Sequence, residues 1–503
     1  METKKGFKVP HKHSSIPIFF IKFPIQSLFF FAVICFTLLV APMVWAGGVI
    51  QLPQTGQTTC YYKDGTIINC SGTGQDGDIK AGAPWPTPRF VDNYNGTIAD
   101  NLSGLTWLKD ANIMKTRDPS FDTHGISGDG AVTWQKALDY IKKLNIENYL
   151  GYNNWRLPNV NELESLLNIK WWGQDDWLKS QGFLNFRTNI MQSVYYWSSS
   201  SCSFLTNSAW FIDLDGAYVS YGSKTNYDYY YVWPVRTSES NSTGSLPQTG
   251  QTICYDSSGT IIPCASTGQD GDIKEGVVWP STRFEDNADQ TMKDNLTGLV
   301  WTKDGNAPGP DNCGPGSTKD WMEAFDYIRC LNSNSYLGYN DWRLPNRNEI
   351  RSLVNYSQAN TASWLVSQGF ANILADYYWS SSSYAFFSDT AWSVNLGNGS
   401  FSDFFGPFKS GRCYVWPVVG LAIPLTAGWN LISVPYELTD KDVTNVLANI
   451  KDNVEIVWGF TPPDTWVKYG PTLPSVLNTL TELVPGKGYW IKLTATGITL
   501  DMP

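Results

Sequence analysis

Two Trp-Arg-Leu-Pro-Asn stretches, Trp155–Asn159 and Trp342–Asn346, hold the residue types most able to do chemistry, each with a glutamate three residues on. An arginine beside a tryptophan, just ahead of a Glu-bearing helix, suits recognition or catalysis. It equally suits a buried Arg–carboxylate bond that pins an extended stretch to a helix, since a guanidinium meets a carboxylate through two parallel hydrogen bonds. That structural use is the expectation for Trp155, Arg156 and Glu162, and for Trp342, Arg343 and Glu349. Further on, Tyr196 to Ser201 and Tyr378 to Ser383 read Tyr-Trp-Ser-Ser-Ser-Ser. A serine nucleophile needs an adjacent base; with no usable His or Lys nearby, the run reads as a polar strand end.

Histidine chemistry is nearly excluded. His11 and His13 lie in the first 46 residues, and His124 alone remains, read as a solvated loop residue. One histidine makes neither a His-ligated zinc site nor a catalytic triad. Gln75-Asp76-Gly77-Asp78 and Gln269-Asp270-Gly271-Asp272 look like a fragment of a calcium loop but lack its other oxygen ligands and distal glutamate. They read as polar turns, as do Asp100-Asn101 and Asp294-Asn295, because Asp and Asn bond their own backbone. No catalytic residue, metal site or cofactor is expected.

What remains is aromatic surface. The chain has 23 Trp and 26 Tyr but only 16 % charged residues. Trp171, Trp172, Tyr229, Tyr230, Phe404, Phe405 and Phe408 are the aromatics least explained by strand alternation. They are candidates for stacking on sugar rings, against the alternative that they fill cores or a domain interface.

The elements that must position these residues occur twice. LPQTGQTTCYYKDGTIINC from Leu52 returns as LPQTGQTICYDSSGTIIPC from Leu246, and the offset stays 194 through Trp107 and Trp301. Each leader predicts a hairpin closed by its own disulfide, Cys60–Cys70 and Cys254–Cys264; Cys313 and Cys330 would tie a loop to the following helix. Cys202 and Cys413 bridge the copies or stay free. After each leader come two half-buried strands with a Gly-bearing turn. A helix follows, with Trp134, Ala137, Leu138, Ile141 and Leu144, or Trp321, Ala324, Phe325, Ile328 and Leu331, at helical spacing. Past the Trp-Arg-Leu-Pro-Asn stretch, Asn159 with Glu162 and Asn346 with Glu349 cap a second helix. β-rich sequence then closes each copy at Tyr231–Val235 and Tyr414–Val418.

The N-terminus differs. Lys4, Lys5, Lys8, Lys12 and Lys22 precede an apolar run, Leu28 to Ala41, which predicts a signal peptide over residues 1–46 and export. Those residues carry five Lys against one Glu, so the formal charge falls from −10 for the whole chain to −14 without them. A chain this acidic is a poor general binder of nucleic acid, and a membrane enters only through an uncleaved signal. The remaining expected units are 47–88 (leader), 89–237 (repeat 1), 238–282 (linker and second leader), 283–419 (repeat 2) and 421–503 (a small β-rich domain).

Taken in order, RFVDN–GTIADNLSGLTW, a helix, NWRLPN–EL–LL, YYWSSS and YVWPVR resemble the domain of unknown function at the C-terminus of a Legionella collagen-like adhesin, over about 89–237 and 283–419. The WRLP-x-x-x-E core also resembles formylglycine-generating-type enzymes and other C-type-lectin-like folds. The resemblance implies an α+β fold of two tandem C-type-lectin-like domains, each with two helices on small antiparallel sheets. It also implies surface attachment or glycan binding; with tandem domains and a surplus of Trp and Tyr, the leading function is an exported, non-enzymatic adhesion or carbohydrate-recognition protein whose partner is a glycan or a host or neighbour-cell surface. Three departures bear on this: there is no Gly-X-Y tract, the calcium-and-sugar signatures of true C-type lectins are absent, and the net charge is wrong for a general binder of sulfated glycans. The oxidising-enzyme alternative needs a paired catalytic Cys, whereas Cys413 has Tyr230 at its counterpart. From Gly428, GWNLIS-P and GKGYWI resemble a small module at the C-terminal end of exported bacterial proteins. The alternative function is a structural envelope module that binds a protein partner.

Overall fold

The computed structural model describes residues 50–501 apart from 123–127, 172, 187–193, 226–227, 238–245, 402–406, 421, 426, 435–440, 449, 462–464, 485–486 and 496–497. The expected signal peptide, His124, Trp172, Phe404 and Phe405 lie outside the described residues.

Each repeat is mixed α and β, built on two small antiparallel sheets. In the first, Phe90–Asp92, Thr97–Asp100 and Leu105–Leu108 form a meander, and the closing strand Val235–Thr237 returns beside the third. The second repeat repeats this order with Phe284–Asp286, Thr291–Asp294, Val300–Thr302 and Val418–Val419. The other sheet pairs Tyr195–Ser201, Ser208–Asp213 and Tyr218–Ser223. Among the described residues its twin pairs Tyr377–Ser383 with Ala391–Asn395, and single bridges join Val394 to Phe401 and Thr390 to Phe408.

The helices follow the apolar spacing. Trp134–Ile146 and Trp321–Ser333 bury the predicted stripes, and Asp320 with Glu323 closes a capping box. Val160–Ser165 and Arg347–Ser352 open on capping boxes from Asn159–Glu162 and Asn346–Glu349. Two features depart from the sequence reading. A third helix, Gln174–Ser180 or Thr361–Ser367, follows in each repeat, seated by buried Leu178 or Leu365. The Gln-Asp-Gly-Asp segments are one-turn helices, Asp76–Ile79 and Asp270–Ile273, whose first aspartate is buried rather than solvated.

Indole N–H groups bond main-chain carbonyls across each core. Trp134 donates to Ser198 and Trp197 to Val132, both within 2.8 Å; Trp321 and Trp379 repeat the pattern with Ser380 and Lys319. A buried indole N–H left without a partner costs free energy, and these four are paired.

The leaders cross over. The first leader lays its disulfide hairpin and short helix against the second repeat, and the second leader does the same to the first. Asp76 accepts from Ser382 Oγ at 2.5 Å and from its own leader's Thr55 at 2.7 Å; Asp270 accepts from Ser200 at 2.5 Å and Thr249 at 2.7 Å. Asn348 donates to the Pro53 carbonyl at 2.8 Å, and Asn161 to that of Pro247 at 3.0 Å. Each leader also holds its own repeat, through Trp85 against Trp177 and Trp279 against Trp364, both 5.7 Å between ring centres.

The C-terminal segment has its own core of Ile432, Val446, Val457, Ile491 and neighbours. Gly428–Ser433, Gly488–Leu493, Val454–Thr461 and Thr465–Tyr469 form its antiparallel sheet in that order, beside the pair Ala422–Leu425 and Ile498–Asp501.

Candidate functional site

The Trp-Arg-Leu-Pro-Asn stretch packs inward. Trp155 and Trp342 are buried, their indoles donating to the carbonyls of Tyr149 at 3.0 Å and Tyr336 at 2.8 Å. Arg156 meets both Glu162 oxygens, at 2.5 and 2.6 Å, and Arg343 meets Glu349 at 2.6 and 2.7 Å. The same glutamates accept from the Asn159 and Asn346 amides at 2.8 Å. One carboxylate thus serves both the helix cap and the strand-to-helix clamp. A second buried clamp in each copy joins Arg89 to Asp100 and Arg283 to Asp294, so those aspartates answer an arginine as well as a turn.

The serine run does have a lysine partner, contrary to the sequence reading. Lys224 Nζ lies 2.9 Å from Ser201 Oγ, over the Trp134 ring, and burial pushes its pKa down to about 7. Lysine and serine at this distance form the pair a hydroxyl nucleophile would need. Both are sealed, however: Ser201 is 0 % and Lys224 1 % exposed, and the lysine also reaches the Tyr255 carbonyl of the crossed-over leader. Lys409, the second copy's equivalent, bonds the Ser388 carbonyl at 2.7 Å, reaches toward Tyr62, and is likewise pushed down to about 7 by burial. Among the described residues no group of His, Cys, Asp and Glu is arranged to hold a metal ion.

Cysteines follow the spacing. Cys60–Cys70, Cys254–Cys264 and Cys313–Cys330 are bonded, while Cys202 and Cys413 are free and buried, their thiols pushed up to about 12 by desolvation.

The expected aromatic contacts divide. Trp171 is 51 % exposed and Phe408 56 %. Tyr229 is half-buried against the core. Tyr230 is buried, with Trp197 at 4.3 Å, Phe211 at 4.6 Å and Tyr195 at 4.9 Å, and is a core ring rather than a ligand contact.

A further aromatic surface lies on the C-terminal sheet, in residues not singled out from the sequence. Val457 and Gly459 face its core, so Ile456, Trp458 and Phe460 face outward, since successive side chains alternate across a strand. Register then aligns Trp458 with Trp490 and Lys468, Phe460 with Trp466, and Trp490 with Leu431. Trp466 is 55 % and Phe460 41 % exposed, with ring centres 5.2 Å apart. Lys468 Nζ lies 5.6 Å from the Trp458 ring. The signal was present in sequence as alternation at 456/458/460 and 466/468; it was legible only once the strands were in register.

The Lcl C-terminal domain matches residues 96–236 and 290–419, more than half of the chain in two tandem segments, and the chain belongs to that family. No curated protein and no solved structure matches it.

Proposed function

We propose that this chain is an exported, non-enzymatic adhesion protein of the cell surface or envelope that recognises carbohydrate through exposed aromatic rings. Membership in the family of a collagen-like adhesin's C-terminal domain supports adhesion. Three disulfides support an oxidising location. The observation that carries the carbohydrate reading is the outward row of Trp458, Phe460, Trp466 and Trp490, flanked by Lys468. Sugar rings present apolar C–H faces edged by hydroxyls, and aromatic faces beside polar donors complement both. Trp171 offers a second, separate contact, and linked weak sites gain apparent affinity by effective concentration. We also assign each repeat to the C-type-lectin-like folds, supported by helices packed on two small antiparallel sheets. The sealed Ser201–Lys224 pair supports the absence of catalysis.

The test is a glycan array, together with insoluble-polysaccharide pull-down, using residues 47–503 with and without EDTA. Saturable binding that survives EDTA and falls at least about 10-fold in Trp466→Ala, a loss of about 1.4 kcal/mol, is expected. Loss in EDTA would overturn the metal-free aromatic reading. Absence of binding to every glycan would overturn carbohydrate recognition and leave the sheet face to a protein partner of the envelope.

A further inference from the structure

The crossed-over leaders make each repeat a receptor for a segment of the other. On the first repeat, the receiving surface is Asn159, Asn161 and the Ser200–Ser201 strand end; on the second, it is Asn346, Asn348 and Ser382–Ser383. The incoming groups are identical in type, a glutamine and an aspartate from each leader, Gln57 and Asp76 or Gln251 and Asp270, each aspartate also held by its own leader's threonine, Thr55 or Thr249. Gln57 and Gln251 each donate to and accept from one serine's main chain, as a strand residue would. By these contacts alone, each repeat would accept a leader from a second copy of itself.

The helices between the leaders remove that freedom. Glu164 and Arg351 occupy equivalent places, two residues after the capping glutamates Glu162 and Glu349, and they meet each other. Residues that meet their own equivalents lie beside a two-fold relation, where two identical repeats would place like against like. Arg347 adds a second contact to Glu164 at 2.6 Å; its equivalent in the first repeat is the uncharged Val160. All three charged groups are buried, so a like pairing would set Glu164 against Glu164, or two Arg347–Arg351 pairs against each other, without compensation.

We propose that each repeat carries a binding site for the leader of another repeat, and that Glu164, Arg347 and Arg351 restrict occupancy to the unlike repeat. The two halves of this chain are therefore a specific heterologous pair that holds together without the peptide link between them. Repulsion against the wrong partner, more than added attraction to the right one, supplies the specificity.

The experiment places a protease site within 238–245 of the full chain and cuts it after folding. Native mass spectrometry and size-exclusion at micromolar concentration should find the halves as one 1:1 complex. Subunit exchange between tagged and untagged cut chains should yield unlike pairs only. Arg351→Glu, cut in the same way, should raise the dissociation constant at least 100-fold, and Gln251→Ala at least 10-fold. Halves that separate on cutting would overturn the leader site. Like halves that pair as readily as unlike ones, or an Arg351→Glu chain that pairs unchanged, would overturn the charge rule while leaving the leader site standing. None of these outcomes depends on whether a glycan binds.

Discussion

Gln57 closes two hydrogen bonds on the main chain of Ser383, 326 residues away: its amide donates to the carbonyl at 2.7 Å and its oxygen accepts from the N–H at 2.9 Å. Gln57→Ala would leave a buried N–H and a buried C=O without partners. At about 1–3 kcal/mol for an orphaned group, the expected loss is about 2–4 kcal/mol in denaturant unfolding. A loss under about 0.5 kcal/mol, the ordinary range for a surface change, would mean that the leader is not held by this contact.

Asp76 and Asp270 make the leader contacts sensitive to pH. Burial raises both carboxyls to about 6, and Asp213 likewise. A raised acid costs stability above its folded value and costs nothing below its unfolded value, near 4. Acidification from pH 6.5 to 4.5 should therefore stabilise the fold. Lys224 and Lys409, pushed down to about 7 by burial, cost most below that value and progressively less as pH rises toward 10. Stability should show a shallow minimum near pH 6–7, with higher values at 4.5 and at 9. Asp76→Asn should flatten the acid limb, and a maximum at pH 7 in the wild type would refute the assignment.

Glu162 does two jobs that substitution can separate. Glu162→Gln keeps an N3 group able to accept from the Asn159 amide but loses the charge opposite Arg156. Breaking a buried ion pair costs about 3–5 kcal/mol. Glu162→Ala also loses the cap bond, about 1 kcal/mol more. Equal losses in the two variants would show that the cap contributes nothing, and a loss below about 1 kcal/mol in Glu162→Gln would show that the clamp does not.

What the sequence disclosed was whatever repeats locally. The 3.6-residue stripe from Trp134 to Leu144, the Asn159–Glu162 cap, the hairpin cysteines and the Arg156–Glu162 pairing all depend on neighbours within about ten residues. Pairings set by chain topology were not legible. The Ser201–Lys224 contact spans 23 residues of irregular spacing, and the exchange of leaders was hidden because leaders with the same Thr, Gln and Asp predict the same docking on either repeat. The aromatic face of the C-terminal sheet is illegible in sequence for a related reason: Trp458 and Trp466 belong together only through strand register, and Tyr230, which follows no strand alternation, is nevertheless core.

Glu164 stands between two arginines, and removing different members of that trio should have opposite consequences. Arg347 is buried over Trp392 and Phe401, each 4.4 Å from its guanidinium, and burial pushes its pKa down to about 10. Arg351 meets Glu164 and packs near Phe401 at 5.0 Å and Tyr356 at 5.5 Å from their ring centres. The trio thus carries one positive charge more than Glu164 can answer. Glu164→Gln leaves two buried cations with no carboxylate and should cost about 3–5 kcal/mol. Arg351→Gln leaves a balanced Arg347–Glu164 pair and removes the surplus buried charge, so its cost should stay within about 1 kcal/mol. Equilibrium unfolding of both variants at pH 7 and moderate salt decides the matter. If Arg351→Gln is as damaging as Glu164→Gln, Arg351 rather than Arg347 is the cation that neutralises the interface.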